Sequence, residues 1–277
     1  MKHIDGTFPG ASGGDHYWQA WLPDEPKAVV VLVHGVSEHG GRYGHVGKRL
    51  TDAGYAVYAE DHYGHGRSDG VKGDVGKFSW LVDDVDSMRR LAEERHPGLP
   101  MFVLGHSLGG LISLDYLTDR GEDGLKGLVV SGPAVDPSVG SSIERAVAPI
   151  LARLLPQLAL VDLGIDNISR DPEVVAAYRN DPLVYSGKVR ARTGAESLAA
   201  TRRVASRLSR LTLPLLVLHG GDDRLVSPNG GKLVYDSAQS RDKRHKVYDG
   251  LYHEIFNEPE QDAVIDDVLT WLDAHLV

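Results

Sequence analysis

The sequence predicts an α/β fold in which a mainly parallel central sheet is flanked by helices. Short apolar runs, several of them ending at glycine, alternate with stretches of helical periodicity, as parallel strands and their connecting helices do. The chain has 277 residues, 42% hydrophobic and 25% charged, which suits one large domain with an insertion. The predicted core strands are Ala28–Val33, Tyr55–Ala59, Met101–Leu104, Leu125–Val130, Leu215–Leu218 and Lys246–Tyr248.

Two stretches have the spacing of helices that pack on such a sheet. Apolar residues recur every three or four positions between 81 and 92, and again between 264 and 272 after Pro259. Near the start of the chain, Tyr17, Trp18 and Trp21 precede Pro23. This aromatic stretch predicts an antiparallel strand at the edge of the sheet.

The strand and helix rhythm stops after Gly132-Pro133, and no strand-like run returns until Leu215. We therefore expect residues 1–133 and 210–277 to form the core and residues 134–209 to form a helical cap (lid) insertion. Within the cap, Ser141 and Glu144 have the spacing of a capping box. An apolar stripe at helical spacing follows: Ile143, Ala146, Val147, Ile150, Leu151, Leu154 and Leu155. Such a stripe usually packs in a core, but on a cap it could instead face lipid or an acyl chain.

Composition excludes several classes of function. The net charge of -9, without a run of Lys or Arg, argues against nucleic acid binding, and the absence of cysteine excludes disulfides and thiolate nucleophiles. Five of the 13 histidines crowd positions 34 to 65, yet their spacing matches no zinc motif. We expect no metal and no cofactor. Without an apolar signal segment or a run of transmembrane length, a soluble cytoplasmic protein is the default expectation.

The strongest motif is Gly105-His106-Ser107-Leu108-Gly109, which lies between an apolar strand and a helical stretch. This is the context of a nucleophile elbow, where two glycines permit a strained turn that presents a serine hydroxyl above the sheet. The helix that follows directs its N-terminus toward the atom on which negative charge develops. The motif predicts that Ser107 is a nucleophile.

A serine nucleophile needs a base, an acid that orients the base, and donors for an oxyanion. Of the four histidines after residue 107, only His253 falls in a loop just past a strand end; the others are His219, His245 and His275. The loop after Leu218 offers Asp222 and Asp223, and this position alone leaves both acids open. The backbone N–H groups of Leu108 and Val36 are the expected oxyanion donors.

Three segments resemble the monoacylglycerol lipase family of α/β-hydrolases, in particular its bacterial members. They are His34-Gly35-Val36-Ser37-Glu38-His39-Gly40-Gly41-Arg42-Tyr43, Asp61 to Ser68, and the elbow. Ser169-Arg170-Asp171 and Tyr178-Arg179-Asn180-Asp181-Pro182-Leu183 also match a stretch typical of that family's cap. The resemblance implies an α/β-hydrolase fold and a carboxylic ester hydrolase acting on monoacylglycerol.

The resemblance also implies roles for individual residues. Ser107, Asp223 and His253 would be the catalytic triad, Asp223 being the acid immediately before Arg-Leu, with Val36 and Leu108 as oxyanion donors. Glu38 and Arg42 would form or brace the glycerol pocket, unless they are only a structural ion pair, and Tyr178 is a weaker substrate-binding assignment.

Several alternatives stay open at this level. A lysophospholipase or a general carboxylesterase would share the elbow and the triad, whereas an inert binding scaffold would not need an intact triad. Some family members carry cysteines near the site, so this cysteine-free chain should not respond to thiol reagents. Peripheral membrane contact through the cap is possible.

Overall fold

A computed structural model describes residues 1–137 and 142–276 and contains an eight-stranded central sheet. The strands of the sheet are β1 (Lys2–Pro9), β2 (Asp15–Leu22), β3 (Ala28–Val33), β4 (Tyr55–Glu60), β5 (Met101–His106), β6 (Gly127–Ser131), β9 (Leu215–Gly220) and β10 (Lys243–Tyr248). Their order is β1-β2-β4-β3-β5-β6-β9-β10, and all pairs from β4 to β10 are parallel. The α/β-hydrolase fold expected from the sequence is confirmed.

Helices cover both faces of this sheet. They are α1 (Gly44–Asp52), α2 (Phe78–Arg95), α3 (Leu108–Arg120), α6 (Ala191–Arg207), α7 (Pro228–Ser237) and α8 (Gln261–Ala274), whereas α4 (Ser142–Leu154) and α5 (Pro172–Asn180) belong to the insertion between β6 and β9. The helices predicted around residues 81–92 and 264–272 are α2 and α8. Each predicted core strand is present, with bounds that differ by up to three residues.

Parallel strands covered on both faces read as continuous apolar runs, because neither face meets water. In β3, Val29 and Val31 pack on one face, whereas Val30 and Leu32 pack on the other. All six residues of β3 are buried. The two resulting hydrophobic clusters fix the register of the strands whose carboxyl ends carry the candidate site residues.

The predicted edge strand is antiparallel, as expected, but it does not lie at the edge. β2 pairs with β4 on one side and with β1 on the other, so the edge belongs to β1. Every residue from His16 to Trp21 in β2 is buried, which suits an interior position. β1 is largely exposed except at Phe8, and its mixed polar sequence is what an edge strand requires.

Between β6 and β9 the chain forms α4, α5 and α6 and a small second sheet. In that sheet β7 (Ala159–Val161) pairs antiparallel with β8 (Val189–Arg190). The expectation that the insertion holds no strand is therefore wrong, since segments of three and two residues are too short to produce a periodic pattern. The second half of α6 returns to the main body, where Ala200 and Val204 join the hydrophobic cluster of Val29.

The apolar stripe of the insertion lies mainly on the surface. Ser141 is outside the described residues, as are the side chains of Ile143, Glu144 and Ala146, so the proposed capping box remains a prediction. Val147, Ile150, Leu154 and Leu155 are exposed, and Leu151 is half-buried. For these four exposed residues, the expectation that the stripe packs in a core is wrong. No helix in the described part of the chain is both long and apolar enough to span a bilayer.

Candidate active site

Ser107 lies in a strained turn that the flanking glycines make possible. Its φ is 54°, in the left-handed region, and it immediately precedes α3. A Cβ on Gly109 would lie 2.0 Å from the Val33 carbonyl oxygen, and one on Gly105 would lie 2.5 Å from the Gly109 carbonyl oxygen. Only glycine allows the turn to approach β3 this closely, so the motif has the geometry of a nucleophile elbow.

The structure brings Ser107, His253 and Asp223 together from three separate loops. His253 Nε2 lies 2.8 Å from Ser107 Oγ, and His253 Nδ1 lies 2.6 Å from Asp223 Oδ2. His253 and the Asp223 carboxylate are buried. An imidazole that donates through Nδ1 to a carboxylate has its Nε2 lone pair free to accept the serine proton.

Sequence position could not decide between Asp222 and Asp223 as the acid of the triad, but the two side chains lie in different surroundings. Asp222 is exposed. Asp223 Oδ1 accepts from the backbone N–H groups of Leu225 and Val226 at 2.8 and 2.9 Å, and Oδ2 lies 3.1 Å from His219 Nε2. Burial alone would raise the pKa of Asp223, but the His253 imidazole and these donors hold it well below its usual range.

Burial and nearby charges shift the pKa of the candidate base, His253, in opposite directions. Burial favours the neutral imidazole, but the Asp223 carboxylate, with smaller contributions from Glu254 and Glu38, raises the pKa of His253 above its ordinary value of about 6.5. His106, whose ring lies 4.8 Å from that of His253, instead places its Nδ1 3.2 Å from the Ser131 hydroxyl. Burial lowers the pKa of His106 to about 3, so it stays neutral beside the base.

The loop after β3 presents a free backbone donor close to Ser107. His34 Nδ1 donates to the Gly35 carbonyl at 2.7 Å, and the Gly35 N–H donates to Glu38 Oε1 at 2.6 Å. The Val36 N–H has no acceptor among residues 1–137 and 142–276. A Cβ on Gly35 would lie 3.3 Å from Ser107 Cβ, which shows how near this loop is to the nucleophile. Leu108, at the first position of α3, offers a second N–H.

Glu38 and Arg42 belong to a buried network with a residue that the sequence did not single out. Arg42 Nη1 donates to Glu38 and to Glu254, and Nη2 donates to Glu254, each at 2.7 Å. The Tyr178 ring covers the guanidinium at 4.6 Å. Although burial opposes ionisation, Arg42 holds the pKa of Glu254 below its usual range. Three side chains proposed for substrate binding thus contact one another beside His253.

Two residues of this site were missed from the sequence. His219 was weighed only as a base, yet it contacts Asp223, and Glu254 directly follows His253 and neutralises Arg42. Adjacency to His253 was the one available signal for Glu254. No sequence pattern pairs His219 with Asp223, because their contact depends on how the loop after β9 turns back.

The chain is similar to known proteins over nearly its whole length. A family model described as serine aminopeptidase, S33 matches residues 24–260. A monoacylglycerol lipase of Mycolicibacterium smegmatis is 45% identical over 98% of this chain and 97% of its own. A monoglyceride lipase of Homo sapiens is 35% identical over 95% of this chain and 88% of its own. The crystal structure of a Paleococcus ferrophilus monoacylglycerol lipase, 32% identical, superposes with a TM-score of 0.82 over 99% of this chain and all of its own.

The elbow geometry predicts different outcomes for two glycine substitutions. Gly109→Ala should destabilise the chain by about 1–3 kcal/mol or more and abolish activity, because the new Cβ collides with the Val33 backbone. Gly194→Ala in α6, where a Cβ meets nothing within 4 Å, should be neutral or stabilising by up to about 1 kcal/mol. Urea unfolding with an ester assay measures both. Equal stability of the two variants would contradict the close approach at Gly109.

The raised pKa of His253 predicts the acidic limb of the pH profile. The base acts only when neutral, so kcat/KM should fall as the pH drops through an apparent pKa above about 6.5. Asp223→Asn should shift this limb to lower pH and reduce kcat strongly, whereas Asp222→Asn should change neither. Hydrolysis of 4-nitrophenyl butyrate from pH 5.5 to 9 gives the profiles. An acidic limb of kcat/KM with its midpoint below pH 6.5 in the unsubstituted protein would contradict the assignment of His253 as a base with a raised pKa.

Proposed function

Since the chain belongs to the monoacylglycerol lipase family of α/β-hydrolases, we propose that it cleaves monoacylglycerols to glycerol and free fatty acid. The observation that carries this proposal is the continuous hydrogen-bonded line from Ser107 through His253 to Asp223, in a chain 45% identical to a monoacylglycerol lipase. Ser107 is the nucleophile, His253 the base, and Asp223 the residue that orients the base.

In the first half of the reaction, Ser107 Oγ attacks the ester carbonyl carbon as His253 Nε2 takes the hydroxyl proton. The negative charge on the carbonyl oxygen is stabilised by the N–H groups of Val36 and Leu108. The bond to the glycerol oxygen then breaks, and His253 returns its proton to that oxygen. Glycerol leaves, and the acyl group remains on Ser107.

In the second half, water takes the place of glycerol. His253 removes a proton from the water as its oxygen attacks the acyl carbon, and the same two N–H groups stabilise the second oxyanion. The bond to Ser107 Oγ breaks, His253 protonates Oγ, and the fatty acid is released. Each proton transfer to or from Ser107, glycerol and water thus passes through His253, which serves as both the base and the acid of the reaction.

We assign residues 1–133 and 210–277 to the catalytic core and residues 134–209 to a cap over the site. The Tyr178 ring on Arg42 supports this assignment, because it joins α5 to the network beside His253. Glu38, Arg42 and Tyr178 bound the glycerol end of the site. Since Arg42 is already held by two carboxylates, its main contribution is to brace that pocket.

The exposed apolar residues of the cap support contact with a lipid surface. Among the described residues, seven of the ten exposed large apolar side chains fall between positions 147 and 161. Leu154 is 69% exposed, and a patch of this kind marks an interaction site on a soluble protein. A substrate that resides in lipid gives this patch a partner: it rests on the membrane that supplies monoacylglycerol.

A lipid panel tests the proposed substrate. Purified protein should release fatty acid from monoacylglycerols faster than from diacylglycerols or lysophospholipids with the same acyl chain. Ser107→Ala should lose roughly 10³-fold or more in kcat on every ester, and labelling by a fluorophosphonate probe, because the nucleophile is gone.

The outcomes of the panel separate the candidate functions. A clear preference for lysophospholipids would replace the proposed substrate and leave the serine mechanism intact. Full ester hydrolysis by Ser107→Ala would refute the nucleophile itself.

The apolar patch predicts binding to lipid vesicles. The unsubstituted protein should co-sediment with phosphatidylcholine vesicles containing monoacylglycerol, and Leu154→Asp should weaken this because a charge enters the apolar contact. Val247→Asp is the matched control, since Val247 is 41% exposed but lies on β10, outside the cap. Equal sedimentation of Leu154→Asp and the unsubstituted protein would show that the patch does not meet the membrane.

A further inference from the structure

The stretch Tyr178 to Leu183 and the segment His34 to Tyr43 carried the family resemblance, and in the structure they contact each other. One contact pairs the His39 ring with the Asp181 carboxylate, and another stacks Arg42 on Tyr178. A third, two residues past that stretch, joins the backbone N–H of Tyr185 to the carbonyl oxygen of Ser37 at 2.9 Å. All three contacts reach the loop that supplies the Val36 N–H.

That loop is strained next to its donor. Ser37 has a φ of 67°, and Ser37 and Ser107 are the only described non-glycine residues with a positive φ. A serine held in this region persists only where its surroundings fix it. Ser37 is buried, directly follows Val36, and uses its carbonyl oxygen to accept from Tyr185. The N–H of Tyr185 therefore stabilises the strained peptide one residue from the oxyanion donor.

The pair between His39 and Asp181 has a defined proton arrangement. His39 Nδ1 accepts from the backbone N–H of Gly41 at 3.1 Å, so the ring proton lies on Nε2. Nε2 donates to Asp181 Oδ2 at 2.9 Å, and Asp181 Oδ1 accepts from the Leu183 N–H at 2.8 Å. Asp181 thus uses one oxygen to fix the turn toward Tyr185 and the other to hold His39, in the middle of the His34–Tyr43 segment.

The same part of the cap is also fixed to the loop that carries His253. The Glu254 N–H donates to the Ile168 carbonyl at 2.8 Å, and Arg170 Nε donates to Glu258 at 2.8 Å. The stretch from Ile168 to Tyr185 is therefore tied to the core at both ends, whereas the exposed apolar residues lie earlier in the cap, on α4 and the segment that follows it.

We propose that Asp181 is a positioning residue for the oxyanion hole. Through His39 and through the turn that presents the Tyr185 N–H, it holds Ser37 in its strained conformation and so keeps the Val36 N–H directed at the site beside Ser107. The cap stretch 168–185 acts as a fixed clamp on the catalytic loops and stays in place during turnover. This inference rests on the proposed acyl transfer at Ser107.

Asp181→Ala and Asp181→Asn test the clamp with 4-nitrophenyl butyrate, an ester whose hydrolysis does not depend on the identity of the lipid substrate. Removal of one oxyanion donor costs about 10²–10³ in kcat, so misplacing it should lower kcat of Asp181→Ala by about 10- to 100-fold. KM should stay within about twofold, because the interaction is made in the transition state. Asp181→Asn keeps one acceptor oxygen, which can serve His39 Nε2 or the Leu183 N–H but not both, so it should recover only part of the lost kcat.

Asp166→Asn is the matched control. Asp166 pairs with Arg179 at 2.5 Å on the same cap, but both side chains are exposed and neither contacts the segment 34–43. Its kcat, KM and melting temperature should equal those of the unsubstituted protein. The melting temperature of each Asp181 variant shows that the assayed protein is folded.

The proposal is overturned if folded Asp181→Ala keeps kcat within about twofold of the unsubstituted protein. It is also overturned if KM rises while kcat is unchanged, because Asp181 would then serve substrate binding. A loss of roughly 10³-fold or more in kcat of Ser107→Ala, measured in the same assay, establishes the acyl-transfer site independently. A failure of the clamp and a failure of the proposed function therefore give different results.

Discussion

The arrangement of the site depends on one close backbone approach, between the turn after β5 and the end of β3. Gly109 lies against the carbonyl oxygens of Val33 and His34, at distances that no Cβ could tolerate. β3 and β5 are neighbours in the sheet, with Val33 opposite Gly105, so their carboxyl ends emerge side by side. This backbone contact alone brings Ser107 close to the loop that carries the Val36 N–H, without any contribution from side chains.

Neutral histidines maintain this arrangement around the sheet edge. His34 donates through Nδ1 to Gly35 and accepts through Nε2 from the His62 N–H, so both ring nitrogens are used only if the ring is uncharged. Burial lowers the pKa of His62 and of His65 to about 4, which keeps these rings neutral as well. His34, His62 and His65 thus hold loops in place as neutral rings, whereas Asp223, with smaller contributions from Glu254 and Glu38, raises the pKa of His253.

The sequence was sufficient where one pattern determines one local structure. Strands buried on both faces are uniform apolar runs, and the elbow needs glycine at two fixed positions, so both could be predicted. β1, β7 and β8 could not, because a polar edge strand and strands of two or three residues produce no periodic signal. The position of Asp222 and Asp223 after the strand left both acids open, and only the family resemblance favoured Asp223. The physical reason for that choice lies in the packing of the loop, which turns the Asp223 carboxylate toward His219 and His253. The exposure of Leu154 likewise depends on what α4 packs against, which its amphipathic pattern does not state.

The contacts between the cap and the segment His34–Tyr43 bear on how such enzymes diversify. A cap inserted between two strands looks like an exchangeable module, in which new substrate preferences could be acquired by recombination alone. Here the pairs His39–Asp181 and Arg42–Tyr178 join positions that lie more than 130 residues apart in the chain. A cap without counterparts of Tyr178 and Asp181 would leave His39 and Arg42 without these partners. Exchange of the cap in this chain is therefore constrained by the core segment that the cap contacts.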